Sequence, residues 1–320
     1  MIHVRYFLSN PHRIVGALMW YRGKLIALYH LCVMIVRKHK DECYIIMSTS
    51  IGDDVYGMAY VRDMKEKNKK RIIVYVHEHK RKLIENYGVV DEIRSFPKKY
   101  KGWIRINYFP SLINLGKKHG IYSIMPYHYI PMEKNNGRDC LKIIRESLLG
   151  LDFTPQIQYP DFSQEPIVSL SDIERDGNKI IILNYSSQFM KNVDMALFQA
   201  IADELTRNGF KVYTNVVGTQ KPLNNTFALN CSFYELYAIS NKIKAIISVR
   251  SGILDLCANT KAAFLVYNFP FPGESDLYNE EWMHRFDVSA WGKKNMIEIL
   301  CKGYEQGMSA FHSFKTQYLQ

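Results

Sequence analysis

The stretch Lys244–Thr260, KAIISVRSGILDLCANT, decides how the chain is read. Ala245 to Val249 is a short apolar run rich in β-branched residues, the composition of a buried strand. Arg250-Ser251-Gly252 breaks it, and Ile253 to Ala258 resumes with helical spacing. The order is strand, tight turn, helix. In an open α/β sheet the carboxyl ends of the strands face the ligand crevice, and the free N–H groups that open a helix attract anions. Gly252 lets a ligand approach the backbone, Ser251 caps the helix or bonds a phosphate oxygen, and Arg250 adds a positive charge. A phosphate-bearing ligand is the functional expectation. The plain structural alternative is a capped turn beside a solvated arginine.

The whole chain sets the frame around this turn. A length of 320 residues exceeds what one core usually serves, so two domains are expected. With 47% hydrophobic and 23% charged residues the composition is that of a folded globular protein. Lysine and arginine outnumber the acids 42 to 31, a net charge of +11 that suits nucleic acid, an anionic membrane surface or a phosphorylated substrate. The basic residues form no stripe with interleaved aromatics outside Lys98 to Arg105, so nucleic acid is not the expected partner. The six cysteines are scattered, with no C-x-x-C pair and no spacing suited to zinc. Reduced thiols, a cytoplasmic compartment and no metal site follow as expectations.

Ile14 to Val36 is long and mostly apolar, but Arg22, Gly23 and Lys24 interrupt its middle. A bilayer span would bury two cations near its centre, so an amphipathic helix is expected, packed on the protein or lying on anionic lipid. From Glu42 strands and helices alternate: Cys43–Met47, helix Val55–Lys67, Arg71–Val76, helix His79–Tyr87 and Val89–Phe96. Pro97 to Pro166 is broken by prolines and studded with tyrosines, and reads as loops that either line an acceptor cleft or pack on the sheet. A polar linker at Gln164–Asn178 precedes a second alternation. Its members are strand Lys179–Asn184, helix Met195–Arg207 stopped by Asn208-Gly209, strand Phe210–Asn215, helix Phe233–Asn241, the opening stretch and strand Ala263–Tyr267. Lys293–Tyr304 and the remainder to Gln320 read as helical.

Two other turns carry chemistry. In STSIGDD, Ser48 to Asp54, Gly52 sits at a sheet edge while Asp53 and Asp54 open a helix. One carboxylate there suits a general base, and the alternative is a pair of acids favoured by the helix dipole. In NYSSQFMKN, Asn184 to Asn192, Ser186 and Ser187 offer hydroxyls and Lys191 a point charge to a phosphate, or all three are surface residues. No dinucleotide fingerprint, P-loop, zincin or nucleophile-elbow motif occurs.

The SIGDD turn, KNVDMALFQAIADELTRNGFKVY and SFYELYAISNKIKAIISVRSGILDLCANTKAAFLVY together resemble the heptosyltransferase-type glycosyltransferases of the GT-B class, family 9. The resemblance covers Cys43–Tyr87 and Lys179–Tyr267. It implies that Asp53 is the base, that Lys191 contacts the donor diphosphate and that Ser251 and Gly252 bind phosphate. Where that family has Asp-Ser-Gly and a histidine three residues on, this chain has Arg250-Ser251-Gly252 and Asp255. A neighbouring set of bacterial polysaccharide glycosyltransferases with an Arg-Ser-Gly turn is similar in fold and reaction. Asp255 either bonds ribose or sugar hydroxyls or is a helix-surface acid.

The expected architecture is α/β, two Rossmann-like domains with parallel sheets facing a central cleft. Residues 1–165, with Gly52 and Asp54 on the acceptor side, would bind a glycan or lipid-linked glycan. Residues 166–320 would bind a nucleotide-sugar through Ser186, Ser187, Lys191, Arg250, Ser251, Gly252 and Asp255, with the final helix crossing back. No cofactor beyond that co-substrate is expected, and the protein would lie in the cytoplasm, peripheral at the inner membrane face. A nucleotide-sugar epimerase of the same fold and a non-catalytic scaffold subunit are the competing readings.

Overall fold

The computed structural model describes residues 11–48, 50–96, 106, 109–124, 139–151, 156–168, 178–184, 193–271 and 273–320. The chain divides into two compact units, Met1–Asn136 with Lys142–Gln158 and Gly137–Leu141 with Tyr159–Gln320.

The first unit opens with helix α1, Pro11–Arg37. Strands β1 Glu42–Ile46, β2 Arg71–Val76, β3 Glu92–Ser95 and β4 Ile121–Ser123 then form one sheet in the order β3-β2-β1-β4. Every pairing is parallel. β1 and most of β2 are buried, which is why both read as continuous apolar runs. The helix expected over Val55–Lys67 is two helices, α2 Ile51–Met58 and α3 Val61–Asn68. The expected His79–Tyr87 helix is a 3-10 turn Glu78–Lys80 followed by α4, Arg81–Glu85. α5 is Pro110–Lys118; α6, Cys140–Lys142, whose first two residues are counted with the second unit, runs on as a π-helix, Ile143–Leu148. Ala27, Leu31 and Met34 of α1 pack with Phe109 and Leu112 onto Tyr44, Ile46 and Ile73 of the sheet.

In the second unit β5 Lys179–Leu183, β6 Lys211–Asn215, β7 Phe227–Leu229, β8 Ala245–Val249, β9 Ala263–Asn268 and β10 Met296–Leu300 form a parallel sheet in the order β10-β9-β8-β5-β6-β7. Its helices are α7 Met195–Arg207, α8 Phe233–Ser240, α9 Gly252–Leu256, α10 Asp276–Arg285 and α11 Tyr304–Phe314, the last extended by a π-turn Lys315–Leu319. Counted within the unit this is the Rossmann strand order, reversing direction between β5 and β8. The first sheet reverses in the same way between β1 and β4.

Two expectations change here. Met296–Leu300 is an edge strand paired with β9, where Lys293–Tyr304 reads as helical. Its alternation, with Ile297 and Ile299 packed on the core and Glu298 between them, is a strand pattern too short to stand out. The last helix lays Phe311 and Phe314 into the second unit's own core, beside Leu197 and Phe198 of α7.

Helix α1 carries two stripes. Gly23, Ala27, Leu31 and Met34 are buried, spaced to lie on one face. Tyr21, Leu25, Tyr29 and Val36, at 60%, 66%, 65% and 84% exposure, form a second helical-period stripe on the other side. The helix therefore packs on the first unit and also presents an apolar face outward.

Candidate functional site

At the carboxyl end of β1, the chain turns from Ser48 into α2. Ser50 caps that helix by accepting the Asp53 N–H, and Ser48 Oγ donates to Asp53 Oδ2 at 2.9 Å. Asp54, fully buried, accepts the Ser48 N–H at 2.8 Å through Oδ1 and the Lys80 ammonium at 2.6 Å through Oδ2. Lys80 is itself buried and also donates to the Ser48 carbonyl. Burial pushes the Asp54 carboxyl up to about 7, against the opposing pull of Lys80. The two acids thus divide their tasks: Asp54 braces the turn and Asp53, at 7% exposure, is aimed by Ser48. Gly57 lets α2 lie close on the sheet edge, for a Cβ there would meet Ile124 Cγ2 at 2.5 Å. Ser123, at the end of the neighbouring β4, has a buried hydroxyl with no hydrogen-bond partner among the described residues. Neither Lys80 nor Ser123 carries a sequence signal for this site; only the strand order brings them to this edge.

At the carboxyl end of β8, Arg250 is buried. Its Nη2 lies 2.7 Å from Asp255 Oδ1, its Nε donates to the Phe286 carbonyl at 2.7 Å and its Nη1 to the Ser251 carbonyl at 2.6 Å. Glu298 stands 3.9 Å from Nε, and its carboxyl is pushed up to about 7 by burial. Trp291 adds its indole N–H to Asp255 Oδ1 at 3.0 Å. The solvated-arginine and surface-acid alternatives are therefore corrected: Arg250 and Asp255 are a buried pair that pins the Ser251-Gly252 turn to the segment before β10. Gly252 opens α9, and the Ser251 side chain makes no capping bond. Ser186, Ser187 and Lys191 lie outside the described residues.

Around this turn, polar groups are left over. Among the described residues, Ser251 Oγ, Asn184 Oδ1 just after β5 and Asn268 Oδ1 at the end of β9 are buried with no hydrogen-bond partner. β9, β8 and β5 are neighbours, so all three orphaned atoms belong to the carboxyl edge of the sheet at its reversal point. Most buried polar groups in folded proteins are paired, so a cluster that is not, at the edge where open α/β sheets bind ligands, marks a candidate site. A surface hollow lined by Asn208, Phe210, His312 and Lys315 includes the residues leading into β6, at the opposite edge, and none of these groups.

Each α/β unit thus presents polar side chains at the switch point of a parallel sheet, the place where open α/β sheets bind their ligands. Solved structures narrow the class. The glycosyl transferase family 9 structure from Veillonella parvula DSM 2008 matches with a TM-score of 0.53 at 11% identity, over 87% of this chain and 98% of that one. The E. coli heptosyltransferase WaaC with ADP matches at 0.56 and 12%, over 86% and 98%. The E. coli ADP-heptose lps heptosyltransferase II matches at 0.57 and 11%, over 87% and 100%. No family model and no curated protein sequence matches the chain. The fold is the GT-B-like fold of family 9 glycosyltransferase structures.

Proposed function

We propose that the chain is a glycosyltransferase that moves a sugar from a nucleotide-sugar to a hydroxyl of a cell-surface polysaccharide or lipid-linked glycan. The observation that carries this reading is the row of unpartnered polar groups, Asn184, Ser251 and Asn268, at the reversal point of the second sheet. The structures that share the fold support it: one is described with bound ADP and another as an ADP-heptose enzyme.

In this reading Asp53 takes the proton of the acceptor hydroxyl while its oxygen forms the new bond to the anomeric carbon. The bond from that carbon to the diphosphate breaks, and the electron pair leaves with the nucleotide. A single displacement inverts the anomeric centre. Ser48 keeps one lobe of Asp53 engaged and so fixes its direction. The leaving diphosphate is met by the Ser251-Gly252 turn, with Lys191 and the hydroxyls of Ser186 and Ser187, and without a metal ion. Gly52 and Asp54 belong to the acceptor side, Asp54 through its brace on Ser48.

No helix among the described residues is long and apolar enough to cross a membrane. The outward stripe of α1, with Arg22, Lys24, Arg37 and Lys40 along the same helix and its end, supports peripheral attachment to an anionic membrane face from the cytoplasmic side.

The test is release of nucleoside diphosphate from a panel of nucleotide-sugars in the presence of a mixed cell-envelope glycan extract. The transferase reading predicts release with one donor, and a loss of about 10²–10⁴-fold in Asp53→Asn with donor binding kept. Conversion of the donor sugar without release would indicate an epimerase, and no turnover with intact binding a scaffold.

A further inference from the structure

Arg285 closes α10 and is 2% exposed, yet its Nε and Nη1 have no hydrogen-bond partner among the described residues. No ion pair among the described residues includes it. Glu281, one helical turn earlier, and Tyr278 and Cys140 act on it only through space, and burial holds its guanidinium below the ordinary arginine range. A buried guanidinium with two of its three nitrogens unpaired is unfavourable, and cations in that state are normally completed by a partner.

Its position says what that partner is. The next residue, Phe286, gives its carbonyl to Arg250 at 2.7 Å, which ties this end of α10 to the turn after β8. Arg250 itself has no charge to spare, since Asp255 lies at 2.7 Å and Glu298 at 3.9 Å. Of the two buried arginines joined through Phe286, Arg250 is paired with carboxylates, while Glu281, the carboxylate that acts on Arg285, makes no ion pair with it. The unpartnered Ser251 hydroxyl marks the same edge.

We propose that Arg285 takes an oxyanion of the nucleoside diphosphate at the carboxyl edge of the second sheet, while Arg250 serves to hold the turn. The assignment rests on the nucleotide-sugar reading above. A planar fork matches a phosphate through two parallel N–H bonds, which a lysine cannot reproduce.

The experiment compares the full chain with Arg285→Met and Arg285→Lys by thermal shift and calorimetry, using inorganic pyrophosphate and UDP, GDP, ADP, CMP and TDP as probes. Arg285→Met removes an unpaired buried charge, so its ligand-free midpoint should equal or exceed that of the wild type. Its affinity for pyrophosphate and for the cognate nucleotide should fall at least tenfold, with Arg285→Lys in between. Unchanged binding in Arg285→Met would overturn the assignment and leave the donor reading standing. A ligand-free midpoint several degrees lower would also overturn it, by showing that the guanidinium serves the fold. Wild-type binding of pyrophosphate but of no nucleotide would overturn the diphosphate-donor assignment, and binding of no probe would remove the donor reading and this proposal with it.

Discussion

Arg250 Nη2 lies 2.7 Å from Asp255 Oδ1, and both side chains are buried. Removing one partner strands the other charge, whereas removing both leaves an apolar gap, so the two changes are expected to differ in effect. Arg250→Met should destabilise the second unit by about 3–5 kcal/mol, and Arg250→Met with Asp255→Leu should recover most of that loss. Urea unfolding curves of the three chains check it. Equal stability of single and double variants would mean that the pair does not hold the turn.

Glu298 gives a pH prediction. Its folded carboxyl is raised to about 7 from an ordinary value of 4.5. The folded state therefore holds a proton that the unfolded chain has released, and the stabilisation, complete below about 4.5, is lost as pH rises toward 7. Stability measured from pH 4.5 to 7 should fall, and Glu298→Gln should flatten that slope. An unchanged slope in the variant would assign the titration to another group, with Asp54, also raised to about 7, next in line.

Gly57 sets how closely the helix carrying Asp53 approaches the first sheet. A methyl group there meets Ile124 Cγ2 at 2.5 Å and Cβ at 3.0 Å. Gly57→Ala should cost about 1–3 kcal/mol by overpacking and should lower turnover, because α2 shifts with Asp53 on it. Ile124→Ala in the same chain should restore part of both. The paired readout separates a packing effect from a simple change in helix propensity, which would raise stability instead.

The outward stripe of α1 predicts lipid binding. Sedimentation with vesicles containing phosphatidylglycerol should carry the wild-type chain down and leave Leu25→Glu/Tyr29→Glu in solution, with high salt releasing the wild type in part. Both substituted positions are about two-thirds exposed, so the core should be untouched. Equal pelleting of both chains, or none of either, would assign the stripe to another partner.

Much of this was legible in the sequence, and what was not has a physical cause. The buried strands declare themselves as apolar runs, and the two turns at Ser48–Asp54 and Arg250–Gly252 stand out because Gly and Ser interrupt those runs. Met195–Arg207 and Ala245–Val249 are found with the bounds read for them. Partnership is another matter. Arg250 reads as a free cation because Glu298, which shares it, is 48 positions away, and Lys80 carries no signal because only the parallel pairing of β1 and β2 brings it to Asp54. Arg285 sends no signal at all in the sequence. It becomes visible once burial and hydrogen-bond accounting reveal an arginine without an acid.

The second unit is proposed to hold a nucleoside diphosphate. The most direct measurement is a thermal-shift series on the purified full chain with UDP, GDP, ADP, CMP and TDP, since a ligand bound only by the folded state raises the midpoint with its concentration. A concentration-dependent rise with one of the five nucleotides is expected. A flat response to all five at millimolar concentration would contradict it.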